Sequence, residues 1–403
     1  MELMVRLTFF ALTLIGFFLC TPLWADEADV FNATVAETIV RDDNLFRVPT
    51  GVAPMLTLTG NPAREDTIHA GTINLKLDKT FSLQHVHIGV NLASYHFNTF
   101  SFLNYQAKGF DARWDWSLTP HLTGKILADR TQSLNNFVDY RGYSRNIRTI
   151  ENQNASLEYN ALGAWRILGR TGHNKVVDTY ILPTNNKSTD FAEAGIKYLS
   201  VNGSSVVLLN RTSRVSWLDV PLNEFLQFDV AATQHDSEIR LDLPLTGKSQ
   251  VQAVATRLNR THQNFSARNF SGTAGTFNYI WSSGSKTQIL LSASRSFVDW
   301  WDVATSYNIT NTVSLAPTWQ LSPELSARLR LERSRRNFFA PVFIFDGVPL
   351  RQDVIRTGQL SLEWLPVRNI SMVVSLQKER RNSNQEDVTY ADTTTSLDMR
   401  LSF

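Results

Sequence analysis

Phe110-Asp111-Ala112-Arg113-Trp114-Asp115-Trp116-Ser117-Leu118 alternates without a break. One parity carries Phe110, Ala112, Trp114, Trp116 and Leu118, and the other carries Asp111, Arg113, Asp115 and Ser117. Successive side chains of a strand point to opposite faces, so this stretch reads as a β-strand with one greasy and one charged face. The pattern recurs along the chain. Val86, Ile88, Val90 and Leu92 oppose His85, His87, Gly89 and Asn91, and Ile239, Leu241 and Leu243 oppose Glu238, Arg240 and Asp242. Leu325, Ala327, Leu329 and Leu331 oppose Ser326, Arg328, Arg330 and Glu332. Ile370, Met372, Val374 and Leu376 oppose Ser371, Ser375 and Gln377, with Val373 as an apolar exception.

Alternation alone also fits a soluble β-sandwich, so the spacing of the turns decides between the two. Turn signals fall at Asp78-Lys79, Thr119-Pro120-His121, Leu162-Gly163, Val201-Asn202-Gly203, Thr246-Gly247-Lys248, Ser282-Ser283-Gly284, Leu321-Ser322-Pro323 and Leu365-Pro366-Val367, about 40 residues apart. Between them lie longer polar stretches, 98–108, 130–152, 174–190, 336–356 and 381–393. Short turns on one side and long loops on the other are the pattern of a transmembrane up-and-down barrel, in which all backbone polar groups are paired inside the bilayer. Eight hairpins, an N-terminal strand near Phe31–Val40 and a terminal strand predict an all-β antiparallel barrel of about 18 strands, 16 being the neighbouring count. Trp116, Trp165, Trp281, Trp319 and Trp364 fall beside the short turns, where an aromatic girdle is expected.

The ends of the chain agree with this reading. Leu7–Leu19 is an apolar run of 13 residues after Arg6, too short for the roughly 20 that a spanning helix needs. Followed by Cys20-Thr21-Pro22-Leu23-Trp24-Ala25, it reads as a signal peptide over residues 1–25, cleaved after Ala25, and residues 26–403 are expected to form a single barrel domain. A retained N-terminal anchor and a lipoprotein are the alternatives; Leu19 before Cys20 speaks against the second. Cys20 is the one cysteine and leaves with the signal, so the mature chain has neither a disulfide nor a Cys-based metal site. At the other end Leu397, Met399, Leu401 and Phe403 alternate with Ser396, Asp398, Arg400 and Ser402. This resembles the C-terminal signature strand that the barrel-assembly machinery recognises by strand addition. The expected surroundings are outer-membrane lipid. A net charge of +2, from 39 Lys+Arg against 37 Asp+Glu without a basic block, excludes nucleic acid as a partner.

Arg41-Asp42-Asp43-Asn44-Leu45-Phe46-Arg47 resembles the opening motif of the EpsL-like barrel proteins of exosortase-associated exopolysaccharide clusters. Asp111-Ala112-Arg113-Trp114 with Leu118-Thr119-Pro120, the Trp364-Leu365-Pro366 turn, and Arg380-Arg381-Asn382-Ser383-Asn384 with Tyr390 are similar as well. The resemblance implies an outer-membrane channel component of exopolysaccharide synthesis and export, with polysaccharide and periplasmic export components as partners. It brings no catalytic residues with it.

Nothing in the chain reads as an enzyme. There is no Gly-x-Ser-x-Gly elbow. Asp111 and Asp115 lie about 13 Å apart on one strand, outside the roughly 5 to 9.5 Å that glycosidase carboxylates require. His85 and His87 share a face but have no carboxylate near them in sequence, and read as a solvated inward pair. His69, His121, His173, His235 and His262 are scattered singly and read as loop, turn or lumen residues. No catalytic, cofactor or metal site is expected.

The residues expected to line the lumen are Asp111, Arg113, Asp115, Arg240, Asp242, Arg328, Arg330, Asp398 and Arg400. Three functions fit: a polysaccharide export channel guided by these charges; a general diffusion porin for small polar solutes; and a structural barrel that conducts nothing. The porin reading expects an inward-folded loop within 130–152 to form the constriction, with Arg141, Arg145 and Arg148 favouring anions.

Overall fold

The computed structural model describes residues 30–52, 54, 59–139, 143–179, 186–225, 227–299, 305–339 and 349–403, so the signal-peptide segment 1–25 lies outside the described residues. Eighteen strands follow one another: β1 Phe31–Asp42, β2 Asp66–Phe81, β3 Gln84–Phe97, β4 Tyr105–Thr119, β5 Leu122–Leu134, β6 Ile147–Leu162, β7 Trp165–Asp178, β8 Lys187–Leu199 and β9 Ser205–Trp217 in the first half. The second half holds β10 Ala231–Thr246, β11 Ser249–His262, β12 Phe270–Ser283, β13 Thr287–Asp299, β14 Tyr307–Gln320, β15 Leu325–Phe339, β16 Gln352–Val367, β17 Ile370–Ser383 and β18 Tyr390–Ser402. Each pairs antiparallel with its sequence neighbours, and β18 returns to pair with β1. The sheet is therefore a closed 18-stranded barrel with no free edge.

At the seam Val35 pairs with Leu401 and Thr38 with Asp398, and Ala33 and Phe403 exchange two backbone hydrogen bonds of 3.0 and 2.7 Å. Register then decides the two faces. Val86, Ile88 and Val90 pair with Trp114, Ala112 and Phe110, joining the apolar parities of β3 and β4. The same face continues through Leu360 and Leu376, which pair with each other, and Leu397 with Ile39. These side chains form a band of exposed apolar groups, among them Ile73, Ile88, Phe110, Leu360 and Leu376. Water would not tolerate so large a continuous apolar surface; the hydrocarbon of a bilayer requires it. Trp116, Trp165, Trp281, Trp319 and Trp364 all stand on this outward parity near the short turns.

Two of the eight expected turns move. Asp78 and Lys79 lie inside β2, and the chain reverses at Ser82–Leu83, with Ser82 in the left-handed region at φ +54°. Leu365-Pro366-Val367 lies at the end of β16, where the register shifts between Trp364 and Val367 before a turn at 368–369. The long loops are shorter than the polar stretches. Strands of 12–16 residues run on into segments such as 130–134, 147–152 and 352–356. Crossing needs only about 9–11 residues. Beyond the apolar band the wall stands in water, so its outward positions turn polar while the backbone ladder continues.

Arg at the middle of the band should cost about 2–4 kcal/mol, whereas an inward position tolerates it. Leu360→Arg is therefore expected to lower the urea midpoint of the folded barrel clearly, and Ser375→Arg, which points inward beside Ser361, to leave it nearly unchanged. Equilibrium unfolding in lipid vesicles, read by heat-modifiable electrophoretic mobility, measures both.

Candidate functional site: the inner wall and the crossed mouth

All nine residues expected in the lumen stand on the inward parity, but they do not converge on one site. Asp111, Arg113 and Asp115 belong to β4, Arg240 and Asp242 to β10, Arg328 and Arg330 to β15, and Asp398 and Arg400 to β18. Each sector instead balances its own charge. Arg113 Nε lies 2.9 Å from Asp115, which also meets Lys125 at 3.1 Å across the β4–β5 pair. Arg240 pairs with Glu238 and Arg330 with Glu332, each two positions along the same strand. Asp242 accepts from Gln250 at 2.6 Å, and Asp398 accepts from Thr38 at 2.7 Å and Arg400 at 3.4 Å. Arg328, flanked by Thr318 and Ser361, has no carboxylate partner among the described residues.

Near the short-turn end, the structure corrects the reading of His85 and His87 as a pair without carboxylates. Asp78 of β2 sits opposite His87, and Asp115 of β4 opposite His85. His87 contacts Asp78 and Asp111 at 2.7 Å each, and His85 contacts Asp78 closely and Asp115 at 3.4 Å. Sequence distance hid this network, which three neighbouring strands assemble across the ladder. Of the single histidines, His121 lies in the β4–β5 turn and His262 on the inward parity of β11, whereas three are corrected. His69, His173 and His235 stand on the outward parity of β2, β7 and β10, at their long-loop ends.

The long-loop end is crowded from inside. The Arg41–Arg47 motif leaves β1 and turns inward. Asp42 accepts the Asn44 N–H at 2.9 Å and both contacts of Arg47 at 3.0 and 2.9 Å. Asn44 donates to the carbonyls of Val48 and Ala391, and Asp43 accepts the Thr393 N–H. Arg47 also reaches Asp392 at 3.1 Å, so two of the three carboxylates that lie within 4.8 Å of one another here, Asp42 and Asp392 but not Asp43, already hold a cation. Burial works against the Arg47 charge, but Asp42 and Asp392 outweigh it and raise its pKa. The motif thus locks the β18–β1 seam and delivers Phe46 to an aromatic cluster, 4.7 Å from both Phe100 and Phe137.

Phe137 belongs to the segment after β5, whose base is closed by Asn135 N–H to the Asn146 carbonyl. Two residues on, Asp139 binds Arg336 of β15 at 2.9 Å and Arg381 of β17 at 3.0 Å, and Arg381 donates to the Val138 carbonyl as well. Strands 5 and 15 are on opposite sides of an 18-membered ring, so this segment crosses the mouth. Its far anchor is rigid: Arg381 is wholly buried and lies over the Tyr390 ring at 5.1 Å. A second chord runs from the tip of β13, where Asp299 binds Lys187 of β8 at 3.1 Å and Arg260 of β11. A third cluster, after β9, packs Val220 and Phe228 on Trp217. Burial pushes the Asp229 carboxyl up, but hydrogen bonds from Asn264 and from the N–H groups of Val230 and Ala231 hold it below the usual carboxylate range.

The loop expected within 130–152 therefore does fold inward, but its arginines are not free. Arg145 donates to the Asn104 carbonyl and Arg148 is paired with Asp178 at 2.8 Å, while Arg141 lies outside the described residues. Sequence reasoning missed Asp139, Arg336 and Arg381 because a contact across the diameter leaves no local pattern.

Residues 245–403 match the family model described as "Putative beta-barrel porin 2". No curated protein matches the chain. Among solved structures, OccK2 (OpdF) of Pseudomonas aeruginosa, crystallised with glucuronate, superposes with a TM-score of 0.54 at 12% identity, covering 93% of this chain and 98% of that one. A BenF-like porin of Pseudomonas fluorescens Pf-5 gives 0.51 at 11% identity over 94% and 99% of the two chains. OpdK of Pseudomonas aeruginosa, with vanillate, gives 0.50 at 12% over 93% and 99%. The fold is that of a porin.

Removing the clamp tests the mouth. Asp139→Ala should raise single-channel conductance and add gating noise, because it frees one end of the crossing segment; Arg148→Ala should change neither. Planar-bilayer recording of the two variants against the parent measures this.

Proposed function

We propose that this protein is an outer-membrane porin that lets small polar solutes diffuse, rather than an exporter of polymer. In that setting the short turns face the periplasm and the long loops the outside. The observation that carries the reading is the clamp of Asp139 on Arg336 and Arg381, which ties a segment across the mouth and divides the opening. A porin benefits from such a constriction, because it admits small molecules by size while the barrel stays rigid. A long polysaccharide would have to displace it. The family model and the porin-like structural neighbours support the same direction, and the sugar acid bound to OccK2 points to small hydrophilic ligands as the class to test first.

The charge layout sets the expected selectivity. Most inner-wall arginines lie beside a carboxylate, as Arg113 beside Asp115 and Arg240 beside Glu238, so the wall offers alternating signs rather than one field. Ion selectivity is accordingly expected to be weak.

A second reading, a channel component for exopolysaccharide in an EpsL-like cluster, rests on the Arg41–Arg47 resemblance. Those residues serve the β18–β1 seam and the aromatic cluster, roles that any cargo would leave unchanged.

Liposome swelling with the refolded chain tests the porin reading: monosaccharides and glucuronate should enter, and large oligosaccharides should not. Impermeability to all of them would sink it. Deleting the chain in its host should leave secreted polysaccharide unchanged; loss of secretion with periplasmic accumulation would instead establish the export reading.

A further inference from the structure

The outer wall carries one patch of charge that the channel does not use. Just beyond the apolar band toward the long loops, Leu331 of β15 is followed outward by Arg333 and Arg335, Leu360 of β16 by Gly358 and Arg356, and Leu376 of β17 by Lys378 and Arg380. Register sets Arg333 directly opposite Arg356, and Arg356 directly opposite Arg380. Three like charges in one row across three strands oppose the pairing of those strands. All five cations are exposed and point outward, and none meets a carboxylate within ion-pair distance among the described residues. Elsewhere on the outer wall some cations meet a carboxylate, as Arg130 with Glu151 at 3.4 Å, His173 with Asp190 at 2.7 Å and Arg41 with Glu65 at 2.9 Å, and others, such as Arg214, Arg257 and Arg295, have no cation directly opposite them.

The row borders a groove of about 910 Å³ that crosses β14 to β18 on the outer wall. Its apolar end is formed by Val313, Leu315 and Leu331, and Gly358 keeps the floor low, since a Cβ there would meet only Leu331, at 3.7 Å. Its cationic end is Arg333, Arg356, Lys378 and Arg380, with Asp43 at the β1 side, its carboxylate accepting the Thr393 N–H at 2.7 Å; Glu332, Glu379 and Asp392 also line it, from positions of the inward parity. An apolar trough continuing into a cationic rim fits an amphiphile with acyl chains in the bilayer and an anionic head at its surface.

We propose that this groove is a binding site for a bisphosphorylated, multi-acylated glycolipid of the outer leaflet. Guanidinium groups donate paired, charge-assisted hydrogen bonds to phosphate oxygens, which relieves the repulsion within the row. β15 and β17 are two strand spacings apart, about 10 Å, so the cations extend beyond the reach of one phosphodiester and suit two phosphates carried on a disaccharide. The inference rests on the outer-membrane placement proposed above and not on what the channel conducts.

The test is native mass spectrometry of the refolded full chain in detergent, titrated with lipid A in bisphosphorylated and dephosphorylated forms and with phosphatidylglycerol. Tightest binding is expected for the bisphosphorylated form. Binding should fall at least tenfold in the Arg333→Ala/Arg356→Ala/Arg380→Ala variant, and should persist in Arg130→Ala/Lys175→Ala, a control on the opposite wall. Gly358→Leu, which fills the floor and keeps every cation, should also weaken it, and serves if the triple variant does not assemble. Equal binding of the dephosphorylated lipid, equal binding of phosphatidylglycerol, or full retention by the triple variant or by Gly358→Leu would overturn the proposal. Channel conductance is expected to be unchanged in all of these variants, so a failure here stays separate from a failure of the porin reading.

Discussion

Inside hydrocarbon every backbone N–H and C=O must find its partner within the protein, and for this chain the pairing of β1 with β18 meets that demand for the whole sheet. Without it two edges would face lipid with their polar groups open, at several kcal/mol for each unsatisfied group. The seam is correspondingly well secured. Thr38 and Asp398 bond across it on the inside, Ile39 packs beside Leu397 on the outside, and Ala33 and Phe403 close its lower end. At the upper end Asp43 and Asn44 reach over to β18 through Thr393 and Ala391.

Closure also fixes where charge can go. Once the ring is closed, each strand has one wet and one greasy face through the bilayer, and a charge must either enter the lumen or wait until the strand has left the hydrocarbon. Inside, the charges are settled by neighbours two residues away or one strand over, as with Arg240 and Glu238 or Lys125 and Asp115. Above the bilayer the inner charges do something different: Asp139 with Arg336 and Arg381, and Asp299 with Lys187 and Arg260, tie distant parts of the ring together. A wide barrel has no packed core, so these chords and the Phe46–Phe100–Phe137 cluster supply the interior contacts that a soluble protein would draw from its centre. The outward row of β15 to β17 is different in kind: Arg333, Arg356 and Arg380 face one another across three strands, with no carboxylate within ion-pair distance among the described residues.

By itself the sequence determined the barrel, its strand number to within two and the face on which the alternating side chains lie, because a period of two along a strand is a local property and a slip of one residue would put Arg113 or Asp398 into lipid. It misplaced the ends of strands, as at Asp78-Lys79, because backbone pairing outlasts the apolar alternation that reveals it. What only the tertiary structure decided are the contacts made around the ring and across it. His87 meets Asp78 and Asp111 through strand pairing, and Asp139 meets Arg381 from the far side of the mouth, over 242 residues of chain. Such partners are chosen by where closure brings the strands, and their sequence neighbours carry no trace of the choice. The motif Arg41–Arg47 shows both sides: its residues stand out in the sequence, but their work at the seam becomes visible only when Thr393 and Ala391 arrive beside them.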